Sequence, residues 1–300
     1  MTATAYPREH AAGQGLGKII HSSLESALTG AGATVFSVVS LMWLHTIITY
    51  QQKYGTKIVP TTISLWREGG IVRFYRGLVP SLAVVPFCRF GDTLFNSLAL
   101  HSLQGVRLGN AQVQVPVEVS TLIGSLGAGA FRAVILPLDT LKVLMQVEGK
   151  AGTLTLKKKI TEHGVGALYQ GSLAYGAGSV MGHYPWYLTY NLLEEKVPQR
   201  SALGARRTRS AGIGFAASVV SAMTSNVFRV LKVHRQSHPE GVTYRQTIEQ
   251  IKTKDGSLRG VFGRGLWGRV GASALQGMVF SVMWTELSDW LRGKEHPWGR

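Results

Sequence analysis

Three aromatic-and-glycine marks fall at equal intervals along the chain. Tyr75-Arg76-Gly77, Tyr169-Gln170-Gly171 and Phe262-Gly263-Arg264-Gly265 set their last glycines 94 residues apart at each step. A turn mark precedes each one: Glu68-Gly69, His163-Gly164 and Asp255-Gly256. A hydrophobic segment follows each one. Self-similarity at a fixed period means one supersecondary unit copied along the chain, whose copies bury their apolar faces against each other. The unit reads as long helix, short amphipathic helix, second long helix. The expected organisation is an N-terminal tail over 1–24 and repeats over 25–106, 117–197 and 208–292.

The spacing of charges says what surrounds the helices. Ser26 to Gln52 carries no formal charge over 27 residues, with His45 its only group titrating near neutral pH. Gly171 to Leu193 is free of formal charge over 23 residues, apart from His183, and Ser210 to Phe228 over 19. Leu78 to Val106 is interrupted by Arg89 and Asp92, and Val119 to Leu138 by Arg132. Val270 to Thr285 runs clean for 16. A bilayer core takes about 20 residues of helix, whereas a soluble helix carries charges every few residues on its outer face. Charged residues are 16% of the chain, against about 25% in an ordinary globular domain. Mean hydropathy is only +0.10, so the six segments fit a bundle whose helices share a polar interior. Copies repeating in the same order are related by an axis along the membrane normal.

Lys and Arg outnumber Asp and Glu by 32 to 16. Lys157-Lys158-Lys159, Arg206-Arg207, Arg209, Arg259, Arg264 and Arg269 fall between hydrophobic segments, where contact with anionic lipid head groups is expected. A nucleic-acid binder would carry the same excess, but the uncharged segments argue against it, and no nucleic-acid partner is expected. The 45% hydrophobic content excludes disorder. A single cysteine, Cys88, excludes a disulfide framework and a Cys-cluster metal site. No Walker loop, HExxH, GxSxG or Cys/His cluster is present, so no enzyme is expected. The first residues have no apolar run of a secretory signal and no repeated arginines of a transit peptide, so any organelle targeting is expected to be internal.

Pro137-Leu138-Asp139-Thr140-Leu141-Lys142-Val143-Leu144-Met145-Gln146 fits the pattern P-x-[DE]-x-x-[KR]-x-x-x-Q. With the repeat period, this identifies the chain as resembling the mitochondrial carrier family over roughly Ser26 to Arg292. The resemblance implies an all-α inner-membrane protein. Six transmembrane helices would form three pseudo-symmetric repeats with short amphipathic matrix helices, both termini facing the intermembrane space. It implies cardiolipin held at helix N-termini by the glycine marks, here Arg76, Gly77, Gly171, Arg264 and Gly265. Apart from bound cardiolipin no cofactor is implied. The implied function is movement of a small metabolite by alternating access.

Asp139, Lys142 and Gln146 share one helix face, at i, i+3 and i+7, and Pro137 removes a helical hydrogen bond and permits a kink. In the family, the acid of one odd helix pairs with the base of the next and closes a matrix-side gate. Here the third repeat reads Val227, Arg229, Lys232 and Gln236 at the four positions. The first offers two registers. Counting from Gln51 gives Met42, Leu44 and Ile47; counting from Gln52 gives Trp43, His45 and Ile48. One family pair survives, Asp139 with Lys232, while Lys142 and Arg229 lose their partners. Two readings stay open, an anion-attracting matrix vestibule and a decayed gate.

The opposite gate motif, [FY]-[DE]-x-x-[KR], is met only by Phe95-Asn96, Tyr190-Asn191 and Trp284-Thr285. The family's substrate contacts carry over to Ala83, Gly178-Ser179 and Ala272-Ser273, all small and uncharged. Arg89, Arg132 and His183 are nearby polar candidates; for Arg89 snorkelling to an interface and for His183 a packing role are the alternatives. The aromatic run His183 to Asn191 fits an interfacial belt, a substrate-facing wall or a surface for another subunit. The leading expectation is therefore an atypical carrier of a small anion or neutral polar solute. The alternative is a transport-inactive carrier fold serving as a structural or accessory subunit of a larger mitochondrial membrane complex.

Overall fold

A computed structural model describes residues 16–103, 106–108, 111–113, 116–198, 203–238 and 241–276. Its elements run in the order long helix, short helix, long helix. The first set is α1 (Leu16–Tyr54), α2 (Ile58–Phe74) and α3 (Leu78–Leu103). The second is α4 (Val117–Glu148), α5 (Ala151–His163), a 3-10 turn (Val165–Tyr169) and α6 (Ser172–Lys196). The third is α7 (Leu203–Gln236), α8 (Tyr244–Asp255), α9 (Arg259–Gly263) and α10, helical over 266–276. α1 starts inside the segment read as a tail. The expected all-α description needs one amendment. An antiparallel hairpin of two three-residue strands, Val106–Leu108 (β1) and Ala111–Val113 (β2), joins α3 to the second set. Two short strands pair locally wherever a tight connection brings extended backbone together, and helix periodicity does not reveal them.

Among the described residues three helices are long and apolar enough to cross a membrane: Leu78–Ala99, Val119–Glu148 and Ala211–Gln236. α1 and α6 cover the uncharged segments Ser26 to Gln52 and Gly171 to Leu193. Residues 277–285 of the last segment lie outside the described residues. α4 and α6 carry Pro137 and Pro185 within the helix, and α3 carries Pro86. Each proline leaves one carbonyl without its helical donor and allows a bend.

The long helices form a closed ring. α1 packs on α3, α3 on α4, α4 on α6 and α6 on α7. α10 fills the remaining place, with Ala272 packed against Leu44 and Ile48 of α1 and Arg269 bonded to α7. The core is a set of small clusters between neighbours, such as Val84, Cys88, Ile135, Leu136 and Tyr175 at the α3–α4–α6 junction. The apolar outer faces and the ring leave a polar space at the centre.

The glycine marks fix how each short helix turns into the next long one. Gly77, Gly171 and Gly265 have φ of 88°, 90° and 66°, a region that L residues with a Cβ avoid. Each lies against the backbone of an odd helix. A Cβ on Gly77 would stand 3.1 Å from the Lys142 carbonyl, on Gly171 3.4 Å from the Lys232 carbonyl, and on Gly265 3.2 Å from the Ile48 carbonyl.

Candidate functional site

These contacts settle the register that the sequence leaves open. Lys142, Lys232 and Ile48 occupy the same place relative to the three glycines, so Gln52 corresponds to Gln146 and His45 to Asp139. A second repeated contact agrees. Thr140 Oγ1 donates to the Leu168 carbonyl at 2.9 Å, and Thr46 Oγ1 donates to the Phe74 carbonyl at 2.7 Å. Thr46 follows His45 as Thr140 follows Asp139. The first-repeat positions are therefore Trp43, His45 and Ile48.

The residues read as a matrix gate converge where α4 meets α7. Asp139 is fully buried and its carboxylate pairs with Lys232 Nζ at 2.5 Å. Gln236 Nε2 donates to the same oxygen at 3.0 Å and to Thr140 Oγ1 at 3.1 Å. Lys142 Nζ reaches the other oxygen at 3.5 Å. The expectation that Lys142 has no partner is thus corrected: the i, i+3 spacing on one helix lets it share its own acid. Gln146 Oε1 accepts from Thr49 Oγ1 of α1 at 2.9 Å, and Pro137 sits two residues before the acid on the helix wall. Arg229 makes no hydrogen bond or ion pair with a described side chain, and it faces the central cavity.

One turn or two further along stands a second charged cluster. Arg132 forks both oxygens of Asp92, at 2.9 and 2.8 Å, and His183 Nε2 lies 3.2 Å from Asp92 Oδ2. Arg132 was expected as a cavity-facing base and His183 as a packing or substrate residue; both line the cavity, and both meet one carboxylate there. An acid and a base that far inside a bilayer are costly unless they meet. The sequence signal existed, since Asp92 is the one acid in its segment, but nothing in linear spacing joins 92 to 132 or 183. Tyr175 separates the two clusters. Lys232 Nζ lies 3.7 Å from its ring centroid and the Arg132 guanidinium 5.2 Å, and its hydroxyl is 3.1 Å from Cys88 Sγ. Neither Tyr175 nor Asp92 was singled out from the sequence.

The space between the helices has a volume of about 360 Å³. Of the expected substrate contacts, Arg89, Arg132, Gly178, Ser179, His183, Ala272 and Ser273 line it. Ala83 does not; its neighbours Val84 and Val85 do. Ser179 Oγ is buried with no hydrogen-bond partner. In the aromatic run, Trp186 and Tyr187 face the cavity, and Tyr190 stacks on Trp186 with centroids 5.1 Å apart. Among the described residues the permanent bases lining the cavity are Arg89, Arg132, Lys142, Arg229 and Arg269, and the one acid is Asp92.

Several basic residues read as loop residues lie within helices or are buried. Arg269 lies in α10 and donates to Ser225 Oγ at 2.7 Å. Arg207 and Arg209 lie within α7, and Lys157 to Lys159 within α5. Arg264, expected to hold cardiolipin beside Gly265, is buried in a two-bond pair with Asp255 at 2.7 Å and donates to the Lys53 carbonyl at 2.9 Å. Arg73 does the same for α4, donating to the Gln146 and Val147 carbonyls at 3.0 and 2.8 Å while pairing with Glu68. Lys159 donates to the Gln236 carbonyl at 2.9 Å and to Gln170 Oε1 at 3.1 Å. Each odd helix thus ends on a cation from the neighbouring short segment, which satisfies carbonyls left open at a helix C-terminus and complements its dipole. Lys159 is the one of the three without an acid bonded to it, and burial lowers its ammonium pKa to about 8, only partly offset by Glu148. At the far end of the bundle Phe95 packs on Phe131 with centroids 5.9 Å apart. Trp284-Thr285 lies outside the described residues.

The geometry is that of a helical membrane protein with a central cavity of mostly cationic described lining and a buried ionic junction between Asp139 of the proline-bearing α4 and Lys232 of α7. Residues 114–201, which hold the second set of helices, match the family model described as mitochondrial carrier protein. Members of that family are multi-pass transporters of mitochondrial membranes rather than enzymes. None of the curated proteins compared with the chain matches it.

Proposed function

We propose that this chain is an inner-membrane carrier that moves a small organic or inorganic anion by alternating access. The observation that carries the reading is the charge of the described cavity lining, five permanent bases against one acid. Ionisable groups inside a membrane are costly, so they mark a solute path by default. In this reading Asp139, Lys142, Gln146, Lys232 and Gln236 hold the matrix side closed, with Arg229 beside them and Pro137 supplying the bend. Arg89, Ser179, His183 and Ser273 meet the solute, with Gly178 and Ala272 leaving room for it. The Asp92–Arg132 pair supplies a rigid wall and Tyr175 the floor. Cardiolipin phosphate sits at the helix N-termini marked by Gly77, Gly171 and Gly265, with Arg76 beside the first. Arg264 is not among the lipid ligands, because its guanidinium is engaged.

The test is uptake into liposomes containing cardiolipin and the purified chain. Labelled monocarboxylates, dicarboxylates and phosphate are compared with a neutral amino acid of similar size. Uptake of an anion, lost in Arg229→Gln with Arg89→Gln, supports the reading. Uptake of the neutral solute alone overturns the choice of anion. A second reading, a transport-inactive subunit of a larger membrane complex, is favoured by one observation: toward the far end of the bundle Trp186 stacks on Tyr190 and Phe95 packs on Phe131, with no ion pair among the described gate positions there. Native electrophoresis of mildly solubilised membranes separates the two. Migration at the size of a lone carrier supports transport, and co-migration with a much larger assembly supports the subunit.

A further inference from the structure

The register fixed above places His45, Asp139 and Arg229 at the three acid positions of the ring, and only Asp139 is an acid. That carboxylate is already engaged by Lys232, Gln236 and Lys142. The carboxylate that lines the cavity, Asp92, is held by Arg132 and His183. Among the described residues no second carboxylate lines the space. Yet Lys142, Arg229 and Arg269 all do, and His45 stands within electrostatic reach of the three of them. Arg269 spends its bonds on a serine hydroxyl and, more weakly, the Ala222 carbonyl at 3.4 Å. Neither neutralises it, and Arg229 has no bonded partner at all among the described residues. Like charges gathered in a low-dielectric space repel strongly unless a counter-charge joins them.

We propose that a small oxyanion binds among Arg229, Arg269 and Lys142 and stands in for the two missing ring carboxylates, so that it latches the matrix end of the cavity. This rests on the carrier reading for its consequence, but not for the binding itself. Guanidinium groups present paired donors that match the oxygens of carboxylate, phosphate or sulfate better than a spherical halide. His45 adds one more polar group, and Met42 and Ile48 of the cavity wall leave an apolar side for the body of an organic acid. The oxyanion could be a free inorganic ion or the acid group of the carried solute; both offer the same oxygens.

The test uses the whole chain purified in mild detergent, melted in sodium sulfate or sodium phosphate, with chloride keeping ionic strength constant. The expected result is a saturable rise, roughly 5 °C at a hundredfold excess over Kd. Arg229→Gln should abolish most of that rise without lowering the melting temperature in chloride, because it removes a charge that has no bonded partner among the described residues. His45→Asp should raise the chloride melting temperature and also abolish the sulfate response, because the carboxylate then comes from the chain. A rise that does not saturate, or one that Arg229→Gln and His45→Asp leave unchanged, overturns the proposal. Sulfate added to the uptake assay then separates the sources: competition with uptake assigns the site to the solute's own acid group, and stimulation assigns it to a free ion. Anion uptake without any saturable shift refutes this site and leaves the carrier reading standing. A saturable shift without uptake of any solute refutes transport and leaves the site standing.

Discussion

Two corners of the same ring differ in a revealing way. Where α4 meets α7, Asp139 gathers Lys232, Gln236 and Lys142. Where α1 meets α4, His45 and Lys142 line the same cavity, and the described side-chain ties between the two helices are neutral, Thr49 to Gln146 and Gln146 to the Met42 sulfur. The backbone scaffolding at both corners is nevertheless the same, since Thr140 and Thr46 make equivalent bonds to the carbonyls of Leu168 and Phe74. The glycine contacts are equivalent too. Position is therefore held by side-chain-to-backbone bonds and close glycine packing, and these survive without the ion pairs. The ion pairs are a separate layer, free to be lost or replaced.

The largest test of that separation is Asp139→Asn. It leaves Lys232 buried without a counter-charge, and breaking a buried pair on one side costs about 3–5 kcal/mol. Unfolding in detergent should show a loss of that size, whereas His45→Asn at the other corner should change stability far less. Equal losses would break the comparison. Next in size is Arg264→Gln, which strips Asp255 of its partner and the Lys53 carbonyl of a donor. Bonds to charged groups are worth about 1.5–3 kcal/mol, and the same measurement reads the loss. Thr46→Val and Thr140→Val should each cost about 1 kcal/mol and should match one another. A marked inequality would mean that the two corners are not scaffolded alike.

The smallest effect is one of pH. Lys159 has a folded pKa of about 8 because of burial, below the ordinary lysine value of about 10.4. Between those values the unfolded chain binds more protons than the folded one. The cost of holding Lys159 charged is therefore fully present below pH 8 and is relieved as pH rises toward 10.4, so this group's contribution makes stability rise with pH across that window. The difference between wild type and Lys159→Met, melted from pH 7.5 to 10, isolates that slope. A flat difference would show that Lys159 is solvated in solution. Arg73 and Arg264 hold the corresponding helix ends with guanidiniums paired to Glu68 and Asp255, so Arg264→Gln should show no comparable slope over this range.

The repeat period, the uncharged segments and the signature at 137–146 made the class legible without coordinates, because each depends on spacing along one chain. The same was true of the face shared by Asp139, Lys142 and Gln146, which follows from helical periodicity alone. The first-repeat register was not legible. Gln51 and Gln52 are adjacent and chemically identical, and only tertiary contacts distinguish them: the packing of Gly265 on Ile48 and Gln52, and the bond from Thr46 to the Phe74 carbonyl. The partners of Arg132, Arg264 and Lys159 were hidden for a related reason. A basic residue near the end of an apolar segment reads as a lipid contact. Whether it meets a phosphate, an acid such as Asp92 or Asp255, or a helix-terminal carbonyl depends on which chain segment arrives beside it.

The sequence by itself pointed to a helical membrane chain with an excess of positive charge. Tertiary structure alone decided where much of that charge goes: some of it to the ends of the odd helices, and some into a central cavity whose described lining holds too few acids to balance it. The reason is that helix periodicity and hydropathy are local properties, whereas the cost of a buried charge is set by whatever lies within a few ångströms of it, however distant along the chain.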